Sequence, residues 1–98
     1  MKRTIRLNPA ADLDLNATFS YIEVRNPRAA LQWLNEMQSY FEMLAGQPEL
    51  GKACDDIRIG MRRAIKNGYR ILYRIAENEI VIVRILHPRR EFDPSLVD

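Results

Sequence analysis

The sequence holds one cysteine and one histidine among 98 residues. A lone Cys54 cannot form an internal disulfide and fits a reducing compartment. One Cys and one His cannot build a protein zinc site of the usual kind; no metal and no cofactor is expected. Long apolar runs are also missing. The longest is Ile80, Val81, Ile82 and Val83, far short of the ~20 residues that span a bilayer. The basic start, with Lys2, Arg3 and Arg6, lacks the apolar run and cleavage site of a secretory signal. A cytoplasmic protein without membrane contact is therefore expected. Repeats, linkers and low-complexity segments are absent, which leaves one domain, residues 1–98.

What is present is ordinary for a globular chain: 47% hydrophobic and 29% charged residues. The net charge of +2 hides an asymmetry. Residues 1–56 carry six Lys/Arg against eight Asp/Glu, and residues 57–98 carry nine against five. The second half is thus a candidate surface for an acidic partner.

Residues 2–7 alternate and read as a strand. Asn8-Pro9 is a helix start, with a capping residue followed by a proline suited to the first turn. Leu13, Ala17, Tyr21 and Val24 recur at helical spacing as the expected buried face, widened by Leu15, Phe19 and Ile22. Asn26-Pro27 ends this helix and starts a second, whose stripe is Ala30, Trp33, Leu34, Met37, Tyr40, Phe41 and Leu44. Gly46 and Pro48 stop it. So short a join requires an antiparallel helix hairpin. Residues 48–56 read as a loop that holds Cys54.

From Ile57 the period becomes two, so residues 57–65 read as a strand. Asn67-Gly68 is a type I′ hairpin signal, residues 69–76 form the return strand, and a turn at Glu77-Asn78-Glu79 leads to a last strand over residues 80–87. The order β-α-α-β-β-β predicts an α+β domain: an antiparallel sheet with a two-helix hairpin packed on one face.

A two-residue turn places Lys66 opposite Tyr69, and Ile65, Ala64, Arg63, Arg62 and Met61 opposite Arg70, Ile71, Leu72, Tyr73 and Arg74. Alternation then separates two faces. Ala64, Ile71, Tyr73 and Ile75 should meet the helices, with Arg62 as the odd residue among them. A buried Arg62 needs a backbone or carboxylate partner, for which Asp12, Asp14 and Glu23 are candidates. The other face should hold Met61, Arg63, Ile65, Arg70, Leu72 and Arg74. A three-residue turn would bury Val81, Val83 and Ile85 on the core side and set Arg84 beside Leu72. Arg89 and Arg90 follow at the edge. The expectation is an open, partly apolar face from which guanidinium groups rise, suited to phosphates or to an acidic amphipathic peptide.

Leu7-Asn8-Pro9-Ala10-Ala11, Arg25-Asn26-Pro27-Arg28-Ala29-Ala30, Gln47-Pro48-Glu49-Leu50-Gly51, Arg58-Ile59-Gly60-Met61-Arg62, Gly68-Tyr69-Arg70-Ile71-Leu72-Tyr73-Arg74 and Val83-Arg84-Ile85-Leu86-His87-Pro88-Arg89-Arg90 follow one another over most of the chain. In this order and spacing the sequence resembles the ParE branch of the RelE/ParE superfamily of toxin–antitoxin systems. The resemblance implies a toxin that inhibits DNA gyrase by binding and is neutralised by a ParD-like antitoxin. Operator DNA would be reached only through that antitoxin. It also implies a target- and antitoxin-binding surface made of Met61, Arg63, Arg70, Leu72, Arg74, Arg84, Arg89 and Arg90.

The RelE-like branch implies the alternative, a ribosome-dependent messenger RNA endoribonuclease. Such an enzyme needs a general base, a general acid and cations. Arg63 and Arg70 match its basic positions. Met61 stands where a second basic residue of the hairpin strand is expected, and the tail offers Phe92 and Ser95 but no Tyr. His87 is the one candidate acid or base, and it reads as a structural residue opposite Tyr69. No catalytic residue is assigned, and the non-nuclease branch is favoured.

Overall fold

The computed structural model describes residues 2–97. A first strand, β1 (Thr4–Leu7), leads into helix α1 (Pro9–Arg25) and helix α2 (Pro27–Gly46). Four strands follow: β2 (Lys52–Ala53), β3 (Met61–Lys66), β4 (Tyr69–Ile75) and β5 (Glu79–Leu86). Short 3-10 turns at Pro48–Leu50 and Pro94–Val97 flank this second half. Among the described residues no helix is long and apolar enough to cross a membrane.

Asn26 serves both helices. Its N–H donates to the Ile22 carbonyl at 2.7 Å, closing α1. Its side-chain oxygen accepts from the Ala29 N–H at 3.1 Å, capping α2. The hairpin join is therefore a single residue. α2 buries Ala30, Trp33, Met37, Phe41 and Leu44 as its stripe predicts. α1 is turned the other way from expectation. Ala11 is buried, and Leu15, Phe19 and Ile22 pack on the core, while Leu13, Tyr21 and Val24 are 70%, 59% and 84% exposed. The helix is apolar on both sides, so periodicity alone could not choose its inner face.

The strand order is β1-β5-β4-β3-β2. Pairing is antiparallel except that β1 runs parallel to β5, which corrects the expected all-antiparallel sheet. The expected loop before β3 contributes the extra edge strand β2. Residues 57–60, read as strand, instead form a turn. The Ile57 and Arg58 N–H groups both donate to the Cys54 carbonyl, and Gly60 at φ +84° supplies the left-handed step.

The β3–β4 register matches the prediction at every pair from Lys66↔Tyr69 to Met61↔Arg74. Asn67 and Gly68 both have positive φ, 52° and 83°, as a type I′ turn requires. The β4–β5 pairing is subtler. Ile75 pairs with Ile80 and Tyr73 with Ile82, but Leu72 pairs with Arg84, so a bulge takes up one residue at Val83. The extra residue expected in the turn sits inside the strand. Before the bulge Ile80 and Ile82, not Val81 and Val83, face the helices; after it Ile85 and Arg84 lie on the predicted sides.

The main core joins α1 and α2 to Ala64, Ile71, Tyr73, Ile80, Ile82 and Ile85. A second cluster lies on the opposite sheet face, where Met61, Leu72, Val83 and Leu86 meet Val97, Leu96 and Phe92 of the tail and Ile57 of the preceding turn.

Candidate functional site

The face expected to be open is roofed by the chain itself. Met61 and Leu72 are 2% and 1% exposed beneath the tail, which corrects their place as an accessible floor. The tail's apolar side chains explain this. Phe92, Leu96 and Val97 would otherwise stand in water beside an apolar sheet face, and covering both at once removes the larger area.

The tail divides the arginines into two groups. Arg63 and Arg70 line a cavity of about 330 Å³ whose walls include Asp56, Leu72 and Phe92. Arg58, Arg74 and Arg84 line another, of about 290 Å³, closed at one side by Asn8 and Ala10 from the start of α1. Arg89 and Arg90 are exposed on the turn after β5 and enter neither.

Arg70 is partly occupied. Its guanidinium donates to the carbonyls of His87 and Arg90, tying down the start of the tail. Arg84 is fully engaged. Its Nε and one terminal nitrogen donate to the two oxygens of Asp14 at 2.7 and 2.8 Å, and the other donates to the Leu96 carbonyl at 2.9 Å. Both side chains of this pair are 13% exposed. The hydrogen bond to Asp14, against the opposing effect of burial, raises the Arg84 pKa above its ordinary value. Arg84 is thus a fastener between sheet, helix and tail rather than a free cation. Among the described residues Arg63 and Arg74 make no side-chain hydrogen bond or ion pair; Arg74 is exposed and Arg63 half-buried.

Arg62, the odd residue of the core face, is satisfied by backbone. It donates to the carbonyls of Gly51 at 3.0 Å and Glu49 at 3.2 Å. None of Asp12, Asp14 and Glu23 serves it; Asp14 serves Arg84 instead. The sequence held a signal for this pair, because an arginine placed between Val83 and Ile85 in a buried strand must find an acid or a set of carbonyls.

His87 lies opposite Tyr69, as expected. The two rings meet edge to face at 5.6 Å, and the Trp33 ring lies tilted against Tyr69 at 5.5 Å. Burial, with a smaller contribution from Tyr21, raises the Tyr69 pKa. His87 Nδ1 accepts the Arg89 N–H at 3.0 Å. The imidazole therefore organises the turn after β5 on the helix side of the sheet, and it lines neither arginine cavity. Of the candidate residues the fold unites Arg63 with Arg70 and Arg74 with Arg84; His87 meets Arg70 only through its backbone carbonyl, and its imidazole lines neither cavity.

The sequence matches the family described as the ParE toxin of the type II toxin–antitoxin system, parDE, over residues 5–92. The chain belongs to the ParE toxin family. The toxin is 35% identical over 92 residues to Toxin ParE1 of Mycobacterium tuberculosis, with 92% of this chain and 94% of the relative covered. It is 34% identical over 97 residues to Toxin ParE3 of Caulobacter vibrioides, covering 98% and 96% of the two chains. Among solved structures it is similar to a chain of the chromosomal ParDE toxin–antitoxin system from P. aeruginosa, with a TM-score of 0.71, 21% identity and 86% and 94% coverage. It is also similar to a chain of the RelBE2 toxin–antitoxin complex of Mycobacterium tuberculosis, with a TM-score of 0.62, 26% identity and 89% and 99% coverage. The toxin has the RelE/ParE fold.

Proposed function

We propose that this toxin acts in the cytoplasm by binding DNA gyrase and blocking it, and that a ParD-like antitoxin encoded beside it neutralises it. Operator DNA is reached through the antitoxin alone. The observation that carries this reading is that the His87 imidazole, bound to the Arg89 N–H, lines neither arginine cavity. Hydrolytic or transesterifying cleavage of RNA needs a base and an acid on either side of the phosphate, within hydrogen-bond reach of it. Among the described residues the Arg63–Arg70 cavity offers cations and one carboxylate, Asp56; the Arg74–Arg84 cavity offers cations and Asn8, with the Asp14 carboxylate beside it already tied to Arg84. Cations that lack an acid–base couple grip a partner but do not move protons. Family membership supports the toxin role, and the solved neighbours, which come from toxin–antitoxin systems, support an antitoxin partner.

The test is a supercoiling assay with purified gyrase. Added toxin should stop supercoiling or accumulate cleaved DNA, and pre-incubation with the antitoxin should restore activity. Gyrase that runs unchanged at large molar excess removes the target. The endoribonuclease reading is tested in a translation extract: codon-specific cuts that vanish with Arg70→Ala would replace the gyrase reading.

A further inference from the structure

We propose that the cavity beneath the tail binds a free apolar α-amino acid, with its carboxylate on Arg63 and Arg70, its ammonium group on Asp56 and its side chain on the apolar floor. Such a site stands whether or not gyrase is the target.

The sheet register builds the cavity. Arg63 pairs with Leu72 and Arg70 with Leu86. Paired residues share a sheet face, and so do residues two apart on one strand, such as Arg70 and Leu72. Two cations and two leucines therefore stand together on the face away from the helices. The leucines are each 1% exposed and form the floor. Phe92 and Pro94 of the tail form one wall, and Asp56 joins the lining from the turn between β2 and β3. The space is about 330 Å³, at the small end of the range for small-molecule sites, about 300–1,000 Å³.

Its charges are not spent on one another. Arg63 and Asp56 share the cavity, yet among the described residues neither side chain has a hydrogen-bond or ion-pair partner. Arg70 gives the same terminal nitrogen to the His87 and Arg90 carbonyls, which leaves its Nε and its other terminal nitrogen for a ligand. A half-buried guanidinium over an apolar floor favours an anion that accepts from it in pairs.

Charge and size select the ligand. A phosphate monoester carries about two negative charges and would set them against Asp56. A simple amine would meet two guanidinium groups. A ligand with one carboxylate and one ammonium group side by side answers both signs, and the leucine floor with Phe92 answers an apolar side chain. A free α-amino acid holds these three groups on one carbon, whereas a peptide separates its two charges. Because Phe92 and Pro94 belong to the tail, an occupied cavity also holds the tail closed.

The test is an NMR titration of the full-length toxin with L-phenylalanine. Millimolar phenylalanine should shift the Leu72, Leu86 and Phe92 signals and raise amide protection in residues 95–97. Arg63→Gln and Asp56→Asn touch no internal side-chain partner, so both should melt as the parent does. Each should weaken phenylalanine binding about tenfold, as expected for a lost charge-assisted hydrogen bond. Hydrocinnamate, which lacks the ammonium group, should bind more weakly and should not be weakened further by Asp56→Asn. Phenethylamine, which lacks the carboxylate, should bind more weakly and should not be weakened further by Arg63→Gln. Absence of shifts at millimolar phenylalanine overturns the proposal. Equal binding of all three compounds, or tighter binding of adenosine monophosphate, overturns it as well.

Discussion

Asp14 and Arg84, 70 positions apart, form a doubly hydrogen-bonded ion pair, and the same Asp14 oxygen that meets Arg84 Nε also accepts the Ile85 N–H at 2.9 Å. One carboxylate therefore fixes the rotation of α1, the strand just past its bulge and, through Arg84 and the Leu96 carbonyl, the tail.

Removing that carboxylate should be costly. Asp14→Ala leaves a largely buried guanidinium with one carbonyl and an orphaned strand N–H, and a loss of about 3 kcal/mol is expected. Urea denaturation checks it. A loss below about 0.5 kcal/mol, as for an exposed pair, would show that the contact contributes little.

Tyr73 anchors the approach to β2. Its hydroxyl donates to the Pro48 carbonyl at 2.7 Å and accepts the Gly51 N–H at 2.8 Å. Tyr73→Phe should cost about 1–3 kcal/mol for the two groups left unpaired. Gly51→Ala should be similarly damaging, since a Cβ there would lie 2.6 Å from the Tyr73 oxygen and 2.9 Å from the Arg63 carbonyl. Thermal melts of both variants test this, and an unchanged melting temperature for Gly51→Ala would contradict the close approach.

Acid should release the tail before the core. Asp93 accepts the Ser95 N–H at 3.0 Å, and this bond to backbone holds its pKa below the ordinary 3.8. A depressed folded-state pKa means that the contribution is present above the unfolded value and is lost as pH falls through the folded one. Amide protection in residues 93–97, taken relative to the intrinsic exchange rate at each pH, should therefore fall below about pH 4, the ordinary carboxylate range. Asp93→Asn should flatten that dependence.

Arg74 offers the cleaner test of the arginine surface. Arg70 holds tail carbonyls, so its replacement mixes binding with folding. Arg74→Glu touches no internal partner. It should weaken the antitoxin complex about tenfold and by more than Lys2→Glu or Lys52→Glu, as read by titration calorimetry. Equal, negligible effects would move the interface off this face.

The sequence by itself determined the helix hairpin, because Asn-Pro pairs and a clean α2 stripe are local signals. It also determined the β3–β4 register, because Asn67-Gly68 admits one tight turn and alternation does the rest. Tertiary structure decided three things. α1 carries two apolar stripes, and only the Asp14–Arg84 pair and the sheet beneath select the inner one. The β5 bulge leaves the residue count unchanged, so turn and strand compete for the extra residue until side chains pack on both faces. The tail's Phe92, Leu96 and Val97 look like a loose end until an apolar sheet face is there to receive them. Each of these depends on contacts between residues distant along the chain, which no local pattern encodes.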